Sequence, residues 1–213
     1  MFWFVYNLLF SIGYLLMLPK FFVRMWKRGG YRKDFLQRLG VYAPDVAGRL
    51  AEKSRVWVHA VSVGEIYVAL KFMDELRSIQ PETCFVLSTT TSTGHQVAEN
   101  RLSPADVLIY FPSDFPFVVK RVLDRIKPRA LILTESEIWP NIIRNSKLRG
   151  IPVVLINGRI SQSSYRGYKL LRMFFSRILA DISAFLVQSD ADRSRLIELG
   201  ADEKNIKVMG TAK

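Results

Sequence analysis

The residues best suited to chemistry stand in short polar turns that follow apolar runs. HAVSVGE at 59–65 ends on Glu65, with Ser62 and Gly64 just before it. A carboxylate at a strand-to-helix junction can take the proton of an attacking hydroxyl. The free backbone N–H groups that open a helix can hold an anion or a hydroxyl. Capping is the competing reading, because the macrodipole favours an acid in the first turn of any helix. Gly64 alone, without the Lys and Ser/Thr of a P-loop, does not make a nucleotide-binding loop.

Four further turns carry similar groups. STTTSTGHQ at 88–96 sets Thr90, Thr91 and Gly94 before a helix, where they suit an N-cap and a sugar or phosphate contact. FPSDFP at 111–116 holds Asp114 between two prolines, as an Asx turn or N-cap or as a substrate contact. TESEIWPN at 134–141 places Glu135 and Glu137 at the end of an apolar strand. One of these acids facing a pocket could orient a cation or stabilise charge; otherwise both decorate a helix start. INGRISQSSYRGY at 156–168 brings Asn157, Arg159 and Ser161 into a segment suited to phosphate and hydroxyl recognition.

The elements that must position these turns follow from periodicity. Apolar runs at 55–61, 84–90, 107–111, 130–134, 152–157, 184–189 and 206–210 read as strands. Segments of helical period near 65–79, 94–101, 115–126, 138–149, 167–180 and 190–199 separate them. The alternation predicts an α/β fold, a Rossmann-like, doubly wound, mainly parallel sheet with helices on both faces. Ligands of such sheets bind at the carboxyl ends of the strands, where the polar turns stand.

Residues 1–19, MFWFVYNLLFSIGYLLMLP, contain no charged side chain and read as a membrane anchor over 1–23. A helix over 2–18 would measure about 25 Å against a hydrocarbon core of about 30 Å, so spanning requires helix past Pro19. Lys20, Arg24, Lys27, Arg28, Arg32, Lys33 and Arg38 follow. They are expected to stay on the cytoplasmic side and to attract anionic lipid headgroups. Residues 24–54 are read as a basic juxtamembrane segment and 55–213 as the Rossmann-like domain. A cleaved signal peptide fits less well, with no basic region before the apolar run and no small-residue cleavage pattern after it; a buried helix is the remaining alternative. Around 165–179, Arg166, Lys169, Arg172 and Arg177 alternate with apolar residues, as on a helix resting on a membrane or an ordinary surface helix.

The 213 residues carry 31 basic and 19 acidic side chains, a formal net charge of +12, which favours polyanionic partners. Much of the excess adjoins the apolar terminus and no nucleic-acid-binding motif is present, so nucleic acid is not an expected partner. The single Cys84 rules out an intrachain disulfide, and one Cys with two His gives no zinc-site spacing.

In order and spacing, HAVSVGE, TTTSTG, FPSDFP, TESEIWPN, INGRIS and the terminal VMGTAK resemble the Kdo transferases of lipopolysaccharide assembly, which are GT-B glycosyltransferases. The resemblance implies transfer of 3-deoxy-D-manno-octulosonic acid (Kdo) from CMP-Kdo to lipid IVA at the inner face of the inner membrane, without cofactor or metal. It implies Glu65 as the catalytic base of an inverting reaction, and Glu135 and Lys213 as transition-state stabilisers. The sequence departs from the family in GTAK at 210–213, where G-N-L-K is usual, and in INGRIS, where N-A-R-[LI]-S is commoner. The family's second Rossmann-like domain, which binds most of the donor, would follow Lys213. The chain is therefore expected to supply the acceptor side and to be inactive alone. The alternative is a noncatalytic membrane-associated module that binds acidic lipid.

Overall fold

The computed structural model describes residues 2–28 and 35–212. Arg32 and Lys33 of the basic cluster, and the candidate catalytic Lys213, lie outside the described residues.

In chain order the elements are α1 (Phe2–Arg28), a 3-10 turn (Phe35–Leu39), α2 (Pro44–Glu52), β1 (Val56–Ala60), α3 (Val63–Ile79), β2 (Phe85–Thr89) and α4 (Ser92–Glu99). They continue with β3 (Val107–Tyr110), α5 (Pro116–Ile126), β4 (Ala130–Thr134), α6 (Pro140–Leu148) and β5 (Val153–Gly158). The last are α7 (Gln162–Leu170), α8 (Arg172–Leu179), β6 (Ala184–Val187), α9 (Asp190–Leu199) and β7 (Ile206–Val208). Among the described residues, the seven strands form one sheet in the order β3-β2-β1-β4-β5-β6-β7. Every pairing is parallel. This is the expected Rossmann-like, doubly wound sheet.

The central strands are near-continuous apolar runs because both of their faces are covered. Trp57, Leu131, Leu133 and Phe185 face one layer of helices, while Val58, Phe85 and Leu87 share the other layer with Ile66 of α3 and Ala98 of α4. Even the large Trp57 is fully buried without an orphaned donor, since its Nε1 donates to Ser88 Oγ at 2.8 Å.

Residues 35–52, read from sequence as part of a juxtamembrane segment, pack on the domain. Gln37 Oε1 accepts the Tyr110 N–H at 2.9 Å, Arg38 Nη2 donates to Thr90 O at 2.7 Å, and Leu50 is buried in the core. The helix expected near 167–180 breaks at Leu171 into α7 and α8. Both sides of the break are tied to α9: Tyr165 OH, in α7, donates to Glu198 Oε2, while Arg172 Nε, in α8, donates to Glu198 O at 2.7 Å.

Helix α1 continues through Pro19 to Arg28, about 40 Å at roughly 1.5 Å per residue. It lies along the domain, with half-buried Trp3, Tyr6, Asn7, Phe10 and Tyr14 recurring at helical spacing on its inward face. Tyr6 OH donates to Asp114 Oδ2 at 2.8 Å, Asn141 Nδ2 donates to Asn7 Oδ1 at 2.7 Å, and Ser113 Oγ donates to Tyr14 OH at 3.0 Å. Phe10 and Tyr14 meet Phe115 edge-on at 5.0 and 4.9 Å between ring centres.

Asp114 anchors this contact. It is fully buried, and its carboxylate also accepts the first N–H groups of α6, from Asn141 at 2.8 Å and Ile142 at 2.9 Å. Burial pushes the carboxyl up to about 7, and the donors from Asn141, Tyr6 and Ile142 pull the other way without cancelling it. Between about pH 4 and 7 the folded protein thus binds this proton more tightly than the unfolded chain. The associated stability is complete below about pH 4 and is lost as pH rises through 7. Chemical denaturation at pH 4.5 and 7.5 is therefore expected to differ between the native chain and Asp114→Asn, the variant losing this part of the decline; identical pH slopes would contradict the assignment.

Candidate active site

The strand order reverses at β1: the chain moves outward to β2 and β3, then returns to place β4 on the other side of β1. Parallel sheets open a ligand crevice at such a point, beyond the carboxyl ends of the strands. Glu65 follows β1 and Glu135 follows β4, so the two acids flank it.

Glu65 starts α3 in a capping box. Its N–H donates to Ser62 Oγ at 3.3 Å, and its Oε1 accepts the Ser62 N–H at 3.2 Å. Oε2 accepts two more donors, the Val61 N–H at 3.2 Å and the Thr134 hydroxyl at 2.7 Å. The residue retains 7% of its surface. Capping and chemistry are thus combined in one side chain: three donors fix the carboxylate, and of its roughly four lone-pair sites one remains for a ligand. Ser62 is exposed and Gly64 half-buried in the same turn.

Thr134 leads directly to Glu135, whose φ of +50° is left-handed, as is the +51° of Asn157 at the end of β5. Asn tolerates that conformation, whereas for Glu it costs about 1–2 kcal/mol. The two strained residues touch: Asn157 Nδ2 donates to Glu135 Oε1 at 3.4 Å. Asn157 Oδ1 in turn accepts the Ala212 N–H at 3.1 Å, which brings the GTAK segment to the same edge. Glu65, Thr134, Glu135, Asn157 and Ala212 thereby form one polar line across β1, β4 and β5. Such backbone strain collects where geometry serves a site. Beside this line a largely apolar cleft of about 270 Å³ lies between Val68 and Phe72 of α3 and residues 209–212.

The hydroxyl-rich turn joins from the β2 side. Thr91 caps α4 by accepting the Gly94 N–H at 3.1 Å, and donates to Val61 O at 3.0 Å. Gly94 is needed for that approach, since a Cβ there would stand 2.9 Å from Thr91 Oγ1 and 3.3 Å from Val61 O. Thr90 Oγ1 is buried with no protein partner, while its carbonyl binds Arg38.

Other expected site residues are held elsewhere. Asp114 is enclosed, with its carboxylate filled by α6 and α1, so substrate has no route to its side chain. Glu137 turns to the opposite layer from Glu135, where Trp139 Nε1 donates to its Oε2 at 2.8 Å and His59 Nε2 stands 3.6 Å away. His59 is itself buried, its Nδ1 3.0 Å from Ser88 O, and its ring stacks on Phe111 at 3.6 Å. Ser161 caps α7 by accepting the Ser164 N–H at 3.1 Å, and Arg159 is exposed beyond β5. Among the described residues no group of three or more His, Cys, Asp or Glu could hold a metal ion. A cavity of about 670 Å³ lined by Lys53, Arg121, Arg125 and Lys127 lies at the amino ends of the strands, away from these groups. Sequence reasoning passed over Thr134; its position as the last residue of the strand before the first acid was the available signal.

Residues 33–213 match the family described as 3-deoxy-D-manno-octulosonic-acid transferase (kdotransferase). The chain belongs to this family. A 3-deoxy-D-manno-octulosonic acid transferase of Chlamydophila psittaci is 28% identical over 211 residues, 99% of this chain and 48% of the relative. One of Bordetella pertussis is 32% identical over 200 residues, 86% of this chain and 44% of the relative. A bifunctional glycosyltransferase/methyltransferase of Fusobacterium nucleatum is 32% identical over 166 residues, 77% and 26% of the two chains. The chain thus spans about half the length of the Kdo transferases it matches. A solved UDP-N-acetylglucosamine 2-epimerase shares the fold, with a TM-score of 0.54 at 10% identity over 75% of this chain and 49% of its own.

Two substitutions probe how this Kdo-transferase-family edge is built. Gly94→Ala is expected to lower stability by about 1–3 kcal/mol, because the Thr91 cap must move. Glu135→Gly is expected to raise stability by about 1 kcal/mol by relieving the left-handed backbone. Chemical denaturation measures both, and a destabilised Glu135→Gly would show that its side-chain contacts outweigh the strain.

Proposed function

We propose that the chain provides the acceptor side of an inverting Kdo transferase, which moves Kdo from CMP-Kdo to lipid IVA at the cytoplasmic face of the inner membrane in lipopolysaccharide biosynthesis. The observation that carries this reading is the Glu65 carboxylate, held at the topological switch point by Val61, Ser62 and Thr134 with one acceptor site left over.

In the proposed reaction, an acceptor hydroxyl enters the crevice beside Glu65. Its oxygen forms a bond to the anomeric carbon of Kdo as the bond from that carbon to the phosphate of CMP breaks. CMP departs with the electron pair of that bond, and the hydroxyl proton passes to Glu65. Positive charge that develops at the anomeric centre is offset by Glu135, and Lys213 balances the donor carboxylate or the departing phosphate. Thr90, Thr91 and Asn157 line the edge as candidate hydroxyl contacts. In this reading CMP-Kdo is held largely by sequence of the kind that the relatives carry beyond the matched half.

The test uses a full-length protein that includes this chain and measures CMP release with lipid IVA as acceptor. Glu65→Gln is expected to lower the rate by about 10²–10⁴-fold with folding intact. Near-normal turnover would remove Glu65 as the base. Binding to acidic vesicles without any CMP release from the full-length protein would favour the noncatalytic lipid-binding module.

A further inference from the structure

The two sides of α1 have different partners. Its inward face is engaged from Trp3 to Tyr14, and the polar contacts of Tyr6, Asn7 and Tyr14 fall in the middle of the apolar stretch rather than at its end. The outward face is exposed and apolar, with Phe4, Leu8, Ile12, Leu15 and Leu16 in the open. A helix crossing a bilayer would carry residues 6–14 into hydrocarbon, where the folded domain cannot follow. Crossing would therefore strip Asp114 of Tyr6 and leave the Asn7 amide without Asn141. Buried and membrane-embedded polar groups without partners cost several kcal/mol by rough estimate. Docking along the domain and spanning are mutually exclusive for this stretch.

A second apolar feature stands beside the helix. At the α7–α8 break, Leu170, Leu171 and Met173 are 87%, 59% and 68% exposed, an unusual outlay of apolar surface on a short elbow. Leu171 and Phe174 share an apolar groove of about 320 Å³ with Phe2, Val5 and Leu9, so the elbow and the outer side of α1 form one continuous surface. Its margin is basic. Arg177 and Arg144 stack on Phe2 and Trp3 at 4.2 and 4.4 Å, exposed Arg166 lies on α7 beside Lys169, which is paired with Glu198 at 3.4 Å, and exposed Lys20 marks the other end. Neither residues 2–28 nor 162–180 contain an acidic side chain. Charge complementarity selects an anionic lipid surface as the occupant.

We propose that α1 lies in the plane of an anionic bilayer leaflet, docked to its own domain, and that the α7–α8 elbow enters the same leaflet beside it. The domain is then held by a two-part apolar footprint with a basic rim. Asp114 and Asn141, which grip α1, stand in the turns after β3 and before α6, at the carboxyl edge of the sheet. The footprint consequently sets that edge next to the headgroups, within reach of a lipid-borne molecule. The inference rests on the packing of α1 and is independent of any transfer chemistry.

Depth measurements test it with the full chain bound to vesicles of phosphatidylglycerol and phosphatidylethanolamine. In a Cys84→Ala background, single cysteines at Leu8, Ile12, Leu16 and Leu171 receive a nitroxide, and collision with oxygen and a water-soluble nickel chelate gives depth. All four are expected at similar depths, about 5–10 Å below the headgroup boundary. A depth that changes steadily by about 1.5 Å per residue from Leu8 to Leu16, with Leu171 in water, would overturn the proposal in favour of a spanning helix. The double variant Leu171→Glu with Met173→Glu is expected to weaken vesicle binding at least 10-fold; unchanged partitioning would remove the elbow from the footprint. Equal binding to neutral phosphatidylcholine vesicles at low salt would remove the requirement for anionic lipid.

Discussion

Asp114 is a carboxylate with no exposed surface, and the arrangement of three helices depends on how its oxygens are satisfied. It holds the first turn of α6 through two N–H groups, sits two residues before α5, and takes the hydroxyl of Tyr6 from α1. An acid removed from water is costly unless donors replace the solvent. These donors come from elements far apart in sequence, so the group is satisfied only when all of them assemble. The amphipathic N-terminal helix is thereby made part of the domain, with its apolar side turned outward.

A second polar line runs along the same edge but on the other side of the sheet's reversal. Glu65, tied by Thr134 to β4, connects the start of α3 to the strained pair Glu135 and Asn157. The rigid, doubly covered sheet beneath supports that strain, since its strands are packed on both faces. Left-handed residues at two adjacent strand ends redirect the backbone so that the polar groups of three different turns meet. The proposed proton transfer from a hydroxyl to a fixed carboxylate requires such a convergence. The stability of the scaffold and the preorganisation of the site therefore have one source, the central parallel strands.

The strands and most helices were legible because doubly covered strands must be apolar and helices must repeat every three to four residues. Ser62 and Glu65 were legible as a helix start, and the observed capping box agrees with that reading. The 35–52 segment was not, because its elements are short and their few buried residues, Gln37 and Leu50, make no long periodic pattern. The break at Leu171 was hidden because neither glycine nor proline stands there, and the ties of both flanking helices to Glu198 lie far along the chain. Glu135 and Glu137 looked alike in sequence. Their separation to opposite layers depends on the left-handed backbone at Glu135, which composition does not reveal.

The sequence by itself determined the order of strands and helices, the family, and the set of turns where chemistry belongs, since local periodicity and motif spacing are properties of neighbouring residues. It also marked residues 1–19 as apolar. Only the tertiary structure decided which acids meet, that Asp114 is enclosed, that Thr134 reaches Glu65, and that one side of α1 rests on the domain. Those outcomes depend on hydrogen bonds and packing between segments up to 134 residues apart. Such contacts are selected by the sheet order and by the need to satisfy every buried polar group, and neither is written in any short stretch of the chain.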